Sequence, residues 1–165
     1  MASSWLFIAC CLIVWLVYWV AMAFKTKRTV ERGGFFAYRL LAGAVIVILG
    51  LAGRLLHVQA ASLLWHRTLA VALTADCVVA VGLAFSVWAR VALGRNWSAE
   101  VTFQEGHELV ESGPYGLVRH PIYTGLLLMG LGSAINYGRV VGFAVFVALC
   151  VAIGWKTHLE ERIMS

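Results

Sequence analysis

A short polar run stands between strongly apolar segments at residues 113–125, with the sequence Gly-Pro-Tyr-Gly-Leu-Val-Arg-His-Pro-Ile-Tyr-Thr-Gly. It contains a cation (Arg119), an imidazole (His120) and two phenols (Tyr115 and Tyr123). In an apolar protein, backbone that bends at a membrane edge is costly unless it lines a site. These residue types can bind an anion, move a proton and offer aromatic surface to a flat ligand. We therefore expect the run to line a ligand-binding site.

Other polar residues that are not simple helix flanks lie before this run and at the carboxyl end of the chain. We expect chemistry to concentrate in the loop of residues 94–120 and in that carboxyl end. The residues concerned are His107, Glu108, Leu109 and Val110 upstream, and Lys156, Glu160 and Glu161 downstream.

Together these motifs resemble the isoprenylcysteine carboxyl methyltransferase family and its relatives among the phospholipid methyltransferases, which are membrane enzymes that use S-adenosylmethionine. The resemblance covers residues 93–161. Arg-His-Pro-x-Tyr-x-Gly also occurs in membrane sterol reductases, but its combination with His-x-Leu-Val upstream and Glu-Glu downstream is more specific. The resemblance implies methyl transfer to a small or lipid-like acceptor, which could be a carboxylate, an amine or a thiol.

The resemblance also implies roles for individual residues. Arg119 and Lys156 would lie near the reacting groups. Many relatives carry an arginine at the position of Lys156, and a lysine weakens bidentate recognition of a carboxylate. The cofactor-binding residues would be His107, Glu108, Leu109, Val110, Tyr115, His120, Pro121, Ile122, Tyr123 and Glu160.

The residues themselves suit such a cofactor, which carries an ammonium, a carboxylate, a sulfonium and an adenine. Glu160 can supply an anion, and the N–H groups at the start of a helix beginning at Pro121 can supply donors. Proline fits the first turn of a helix, so we expect His120 at or next to the N-cap. An amine or thiol acceptor would need a base, for which His107, His120 and Glu161 all remain candidates.

Each of these residues also has a simpler interpretation. Arg119 could anchor a helix to lipid phosphates, and His107 could be an ordinary loop histidine. Tyr115 and Tyr123 could belong to an interfacial aromatic belt. The two glutamates beside Lys156 could form a solvated salt-bridge face.

Two other functions remain open on the sequence. A membrane reductase of the sterol-reductase type, using NADPH, shares the Arg-His-Pro signature. A non-enzymatic membrane subunit that binds haem or a solute could use the five histidines, although most of them fall in loops or at helix ends.

Composition places these motifs in an integral membrane protein. The 165 residues are 62% hydrophobic and 13% charged, with a mean hydropathy of +0.87, which is too apolar for a soluble domain of this size. Apolar runs predict an all-α fold with about five transmembrane helices, the last two forming a short helical hairpin with a tight turn at residues 136–139. The predicted spans are residues 5–24, 35–56, 69–89, 122–135 and 140–155, and the fifth helix is expected to run on into Lys156 and the pair Glu160-Glu161.

We expect one domain over residues 1–165. Residues 1–92 would supply three N-terminal helices, and residues 93–165 the cofactor-binding core. Relatives usually continue past the Glu-Glu pair, so this core is either naturally short or truncated at its carboxyl end. Asp76 is the one acidic residue inside a predicted span, and we expect it to pair with Arg54, His57 or Arg67.

The distribution of Lys and Arg predicts the orientation. Ten of the 13 would lie on one side and three (Arg54, Arg67 and Arg139) on the other, so the amino terminus should be outside, and the carboxyl terminus and site cytoplasmic. The expected location is the inner membrane of a bacterium. Expected partners are membrane lipids and the methyl acceptor, with no nucleic acid and no metal, since the four cysteines show no ligand spacing.

Overall fold

The computed structural model describes residues 2–23, 63–94 and 113–164. Within these ranges the chain forms four α-helices and one short 3-10 helix at Gly113–Gly116. The regular structure there is helical, and a single isolated β-bridge joins Leu63 to Arg139. The α-helices are α1 (Ala2–Ala23), α2 (Leu69–Leu93), α3 (Pro121–Tyr137) and α4 (Val140–Met164).

Three of the helices are long and apolar enough to cross a membrane. The spanning stretches are Ser3–Met22 in α1, Leu69–Leu93 in α2 and Val140–Leu159 in α4. The protein is therefore an integral membrane protein, as its composition predicts, and its described ranges are all-helical. Helix α3 has 17 residues, about 26 Å at ~1.5 Å per residue, and is the shortest of the four. The predicted span at residues 35–56 lies outside the described residues.

The last helix continues past its apolar run into Lys156 and the pair of glutamates at 160 and 161, as predicted. The apolar run ends at residue 155, but α4 has 25 residues and continues to Met164. Leu159, Glu161 and Arg162 are strong helix formers, and no Gly or Pro interrupts the chain after Lys156, so the helix outlasts its apolar stretch. Helix α2 likewise extends four residues past the predicted Ala89, until Gly94 with φ 51° ends it.

Helices α3 and α4 form an antiparallel hairpin. The turn predicted at residues 136–139 is confirmed, with Gly138 in the left-handed conformation (φ 64°) and its N–H donating to Ala134 O. Halfway along, a Cβ built on Gly130 would lie 2.9 Å from Leu149 Cδ2. Because the chain reverses at the turn, the end of α4 returns to the beginning of α3.

The backbones of α2 and α3 approach very closely. A Cβ built on Gly125 would lie 2.6 Å from Gly82 O, and one built on Gly82 would lie 2.6 Å from Gly125 O. Such contact is available only to residues without a side chain, and it is a common means of packing helices in membranes. This glycine pair fixes α3 against α2.

Polar contacts join α1 to α2. Ser4 Oγ donates to Asp76 Oδ1 at 2.6 Å, and Trp15 Nε1 donates to Ser86 Oγ at 2.9 Å. The expected pairing of Asp76 with Arg67 is wrong, since the Arg67 guanidinium donates to Asn136 Oδ1. Arg54 and His57, the other two expected partners, lie outside the described residues. Asp76 pairs with a serine near the start of α1 because α1 packs directly on α2.

Gly125→Ala should reduce stability by about 1–3 kcal/mol, because the added methyl overpacks the α2–α3 contact. Thermal unfolding in detergent measures the effect. Gly154→Ala is the matched control, since a Cβ at Gly154 meets nothing within 4 Å and alanine favours the helix. Equal melting temperatures for the two variants would contradict the close approach.

Candidate active site

Four elements contribute to one end of the helix assembly. They are the carboxyl end of α2, the 3-10 helix at Gly113–Gly116, the beginning of α3 and the carboxyl end of α4. The 3-10 helix packs on α2, and the α3–α4 hairpin returns the tail of α4 to the residues that precede α3. Site residues far apart in sequence thus become neighbours.

The Glu161 carboxylate on α4 lies beside both polar residues that precede α3. Its Oε1 is 3.4 Å from His120 Nε2 and 3.9 Å from Arg119 Nη1. The side chains of Arg119 and Glu161 are 87% and 47% exposed, so solvent screens this ion pair and it contributes little stability. The position of α4 is therefore set by helix packing, and the ion pair is a consequence of that position.

His120 is the N-cap of α3 and Pro121 its first residue, as predicted from the proline. The His120 side chain does not cap the helix. Its ring stacks on Tyr123, with centroids 5.7 Å apart and an interplanar angle of 23°. The imidazole is thereby turned toward α4, while the first turn of α3 keeps N–H groups without a side-chain cap.

Lys156 completes this group from α4. Its Nζ lies 5.0 Å from the centroid of the Tyr123 ring, within the range of a cation–π interaction. Tyr123 therefore contacts both the imidazole of His120 and the ammonium of Lys156. Four of the residues singled out in the sequence, Arg119, His120, Tyr123 and Lys156, lie together with Glu161.

Tyr115 lies on the 3-10 helix, half-buried and near Arg90 of α2. Burial raises the pKa of its phenol well above the usual range, and the neighbouring Arg90 cation opposes that rise. The phenol is therefore neutral at physiological pH. It can donate a hydrogen bond or offer ring surface, but it cannot act as a base.

Arg90 is a residue of this region that the sequence reasoning missed. It is 1% exposed, and its guanidinium donates to Gly94 O at 2.6 Å and Met22 O at 3.4 Å. Arg90 therefore joins the ends of α1 and α2 beneath Tyr115. The sequence reading counted it only as a flanking cation. The missed signal was Val91-Ala92-Leu93, which continues the apolar helix beyond the charge.

The remaining predicted residues are placed only in part. Pro121 is buried and Ile122 half-buried in the first turn of α3. Glu160 precedes Glu161 on α4, and the structure describes its backbone only. His107, Glu108, Leu109 and Val110 lie outside the described residues.

Comparison with known proteins identifies the family of this part of the chain. A family model described as phospholipid methyltransferase matches residues 69–165, which include every element that forms the site. The chain is thus a membrane methyltransferase. It belongs to the phospholipid methyltransferase family. No curated protein matches it.

The Tyr115 phenol should stay protonated above pH ~10, where an exposed tyrosine ionises. In the unfolded chain it ionises near that pH, so its contribution to stability is complete below pH ~10 and is lost as the pH rises toward the folded pKa. Absorbance of tyrosinate in the near ultraviolet measures the titration. Wild type and Tyr115→Phe should give the same titration curve through pH ~10–11. One extra phenol titrating near pH ~10 in the wild type would contradict the burial.

Proposed function

We propose that this protein transfers a methyl group from S-adenosylmethionine to a small or lipid-like acceptor at the cytoplasmic membrane interface. The observation that carries the proposal is the return of the α4 tail to the start of α3, which assembles Arg119, His120 and Tyr123 with Lys156 and Glu161. Family membership supports methyl transfer in a membrane. The amino terminus would then lie outside and the site inside.

The geometry at the start of α3 fits the cofactor's polar groups. Because His120 does not cap the helix, N–H groups of the first turn remain for a carboxylate, with the helix dipole favouring that anion. Glu160 would bind the ammonium, and Tyr115 and Tyr123 would provide surface for the adenine. His107, Glu108, Leu109 and Val110 would form a further wall, with Pro121 and Ile122 supporting the helix start.

Methyl transfer requires collinear alignment of the acceptor atom, the methyl carbon and the sulfur. S-adenosylmethionine, when bound, supplies an electrophilic methyl group on a sulfonium; the acceptor's lone pair forms the new bond as the carbon–sulfur bond breaks. Arg119 and Lys156 would orient the acceptor with their positive charges.

An anionic acceptor needs no base, whereas an amine or thiol must lose a proton. The contact between His120 Nε2 and Glu161 Oε1 favours the tautomer with its proton on Nε2, which leaves the lone pair on Nδ1. We therefore propose His120 as the base, with Glu161 orienting it, ahead of Glu161 itself or His107. The stacked Tyr123 ring would keep the imidazole in place.

Exposed apolar side chains beside the site support a lipophilic acceptor. Leu117, Val151 and Trp155 are 69%, 66% and 74% exposed. Leu117 lies between Tyr115 and Arg119 in the sequence, and Trp155 directly precedes Lys156. An acceptor with a hydrocarbon tail could therefore approach from the bilayer while the cofactor arrives from water.

His120→Ala and Glu160→Ala should each abolish methyl transfer, since the first removes the base and the second the anion for the cofactor's ammonium. Loss of a general base should cost about 100-fold or more. Membranes containing the protein would be incubated with methyl-labelled cofactor and a lipid extract, and the labelled product identified by mass spectrometry. His158→Ala, an exposed histidine on α4, is the matched control. Full turnover by both site variants would refute the assignment of these residues.

Binding distinguishes the methyltransferase from a reductase with the same Arg-His-Pro signature. Isothermal titration of the purified protein should detect S-adenosylhomocysteine and not NADPH. Binding of NADPH alone would overturn the proposed function.

A further inference from the structure

A second polar cluster lies at the end of the molecule where α3 turns into α4, opposite the candidate active site. We call it the turn-end cluster: Ser4 of α1, Arg67 before α2, Asp76 of α2, Asn136 of α3 and Arg139 of the turn. The backbone holds these elements together, since Leu64 N–H donates to Gly138 O at 2.9 Å and Leu63 pairs with Arg139. The proposed reaction does not use this cluster.

The hydrogen bonds inside the cluster centre on Asn136. Arg67 Nε donates to Asn136 Oδ1 at 2.9 Å. Ser4 Oγ lies 2.6 Å from Asp76 Oδ1 and 3.2 Å from Asn136 Oδ1. A hydroxyl has one proton, so Ser4 donates to the nearer Asp76. The Asn136 side-chain oxygen accepts from Arg67.

Donors in the cluster outnumber acceptors. Asn136 is 1% exposed, yet its Nδ2 has no hydrogen-bond partner, and the same holds for Arg67 Nη2 and Arg139 Nη1. Exchanging the oxygen and nitrogen of the amide does not help, because Nδ2 would then face the Arg67 Nε–H donor. Buried donors without acceptors are costly. The described residues therefore supply no acceptor for these three donor nitrogens.

The turn-end cluster also has more positive than negative charge. Across residues 2–23, 63–94 and 113–164, no ion pair joins Arg67 or Arg139 to a carboxylate, and the nearby Asp76 bonds to Ser4. Residues 51–62, which lead into Leu63, contain no Asp or Glu. Among the described residues Asp76 is the one carboxylate in the cluster and it pairs with neither guanidinium, so the two cations outnumber it, which favours binding of an anion.

Aromatic side chains place the cluster at the level of lipid headgroups. The Arg67 guanidinium lies 5.2 Å from the Trp5 ring centroid, and Trp5 meets Tyr137 edge-on. Trp65 Nε1 donates to Ile135 O at 3.2 Å. Trp and Tyr concentrate where the bilayer meets water. Arg67 and Arg139 are half-buried, so part of each side chain is exposed at that layer.

We propose that Arg67 and Arg139 bind a phosphate group at the turn end, supplied by a phospholipid headgroup or by free phosphate, with Asn136 positioning Arg67. Two guanidiniums offer the forked N–H donors that phosphate oxygens accept. The two arginines lie on the side of the membrane that is predicted to have only three of the 13 Lys and Arg residues. A bound phosphate would explain why they are there. The proposal is independent of the methyl-transfer reaction.

Native mass spectrometry of the detergent-purified protein tests the proposal with three probes: phosphatidylglycerol, diacylglycerol and inorganic phosphate. Wild type should retain one phosphatidylglycerol and no diacylglycerol. Arg139→Gln should weaken retention about tenfold or more, because it removes charged hydrogen bonds. Arg139→Lys keeps the positive charge but loses the forked N–H donors, so its lipid retention should fall between those of wild type and Arg139→Gln. Arg162→Gln, the same change at the far end of α4, should retain lipid as wild type does.

Circular dichroism of each variant shows whether its helices form, so that loss of binding is separated from loss of fold. Retention of inorganic phosphate that Arg139→Gln abolishes would support the site and identify free phosphate as its ligand. Equal lipid retention by wild type and Arg139→Gln, or equal weakening by Arg162→Gln, would overturn the proposal.

Discussion

The antiparallel return of α4 along α3 is the constraint on which the site depends. Gly138 supplies the left-handed turn, and α3 is in turn held on α2 by the reciprocal approach of Gly82 and Gly125. Because this packing is steric and apolar, it fixes where the end of α4 lies with little help from charge. The contacts of Glu161 with His120 and Arg119 are exposed and long, so they could not impose this geometry by themselves.

Polar groups consequently occur at the two ends of the helix assembly, with apolar packing between them. At one end Arg90 connects α1 and α2 below Tyr115, and the α4 tail meets the start of α3. At the other end Arg67 and Asn136 link the segment before α2 to the end of α3. This division suits a membrane protein, since charged and hydrogen-bonding groups are least costly where the bilayer meets water.

Sequence reasoning was most successful where a single residue dictates local geometry. Pro121 located the beginning of α3 and made His120 its N-cap, and the Asn-Tyr-Gly run located the turn into α4. The last helix was expected to run past its apolar stretch into the two glutamates, and this polar continuation, which reaches Met164, carries Glu161 to His120. Sequence reasoning was less successful where tertiary packing decided the outcome. Asp76 was expected to pair with Arg54, His57 or Arg67 by charge alone, whereas the packing of α1 on α2 places Ser4 against it. Arg90 was overlooked because counting charges does not show which of them are buried.

Proximity of the α4 tail to the start of α3 is the central claim, and cross-linking of paired cysteines by a short bis-maleimide measures it directly, because the reagent spans the gap left when two long side chains in contact at their tips are shortened to cysteine. His120→Cys and Glu161→Cys would be combined in a chain whose four native cysteines are replaced by serine. Val140→Cys would replace Glu161→Cys in the control, since residue 140 lies at the other end of α4. Rapid and nearly complete cross-linking of 120 with 161, and none of 120 with 140, is the predicted result. No cross-link between 120 and 161 under conditions that leave the helices intact would contradict the account.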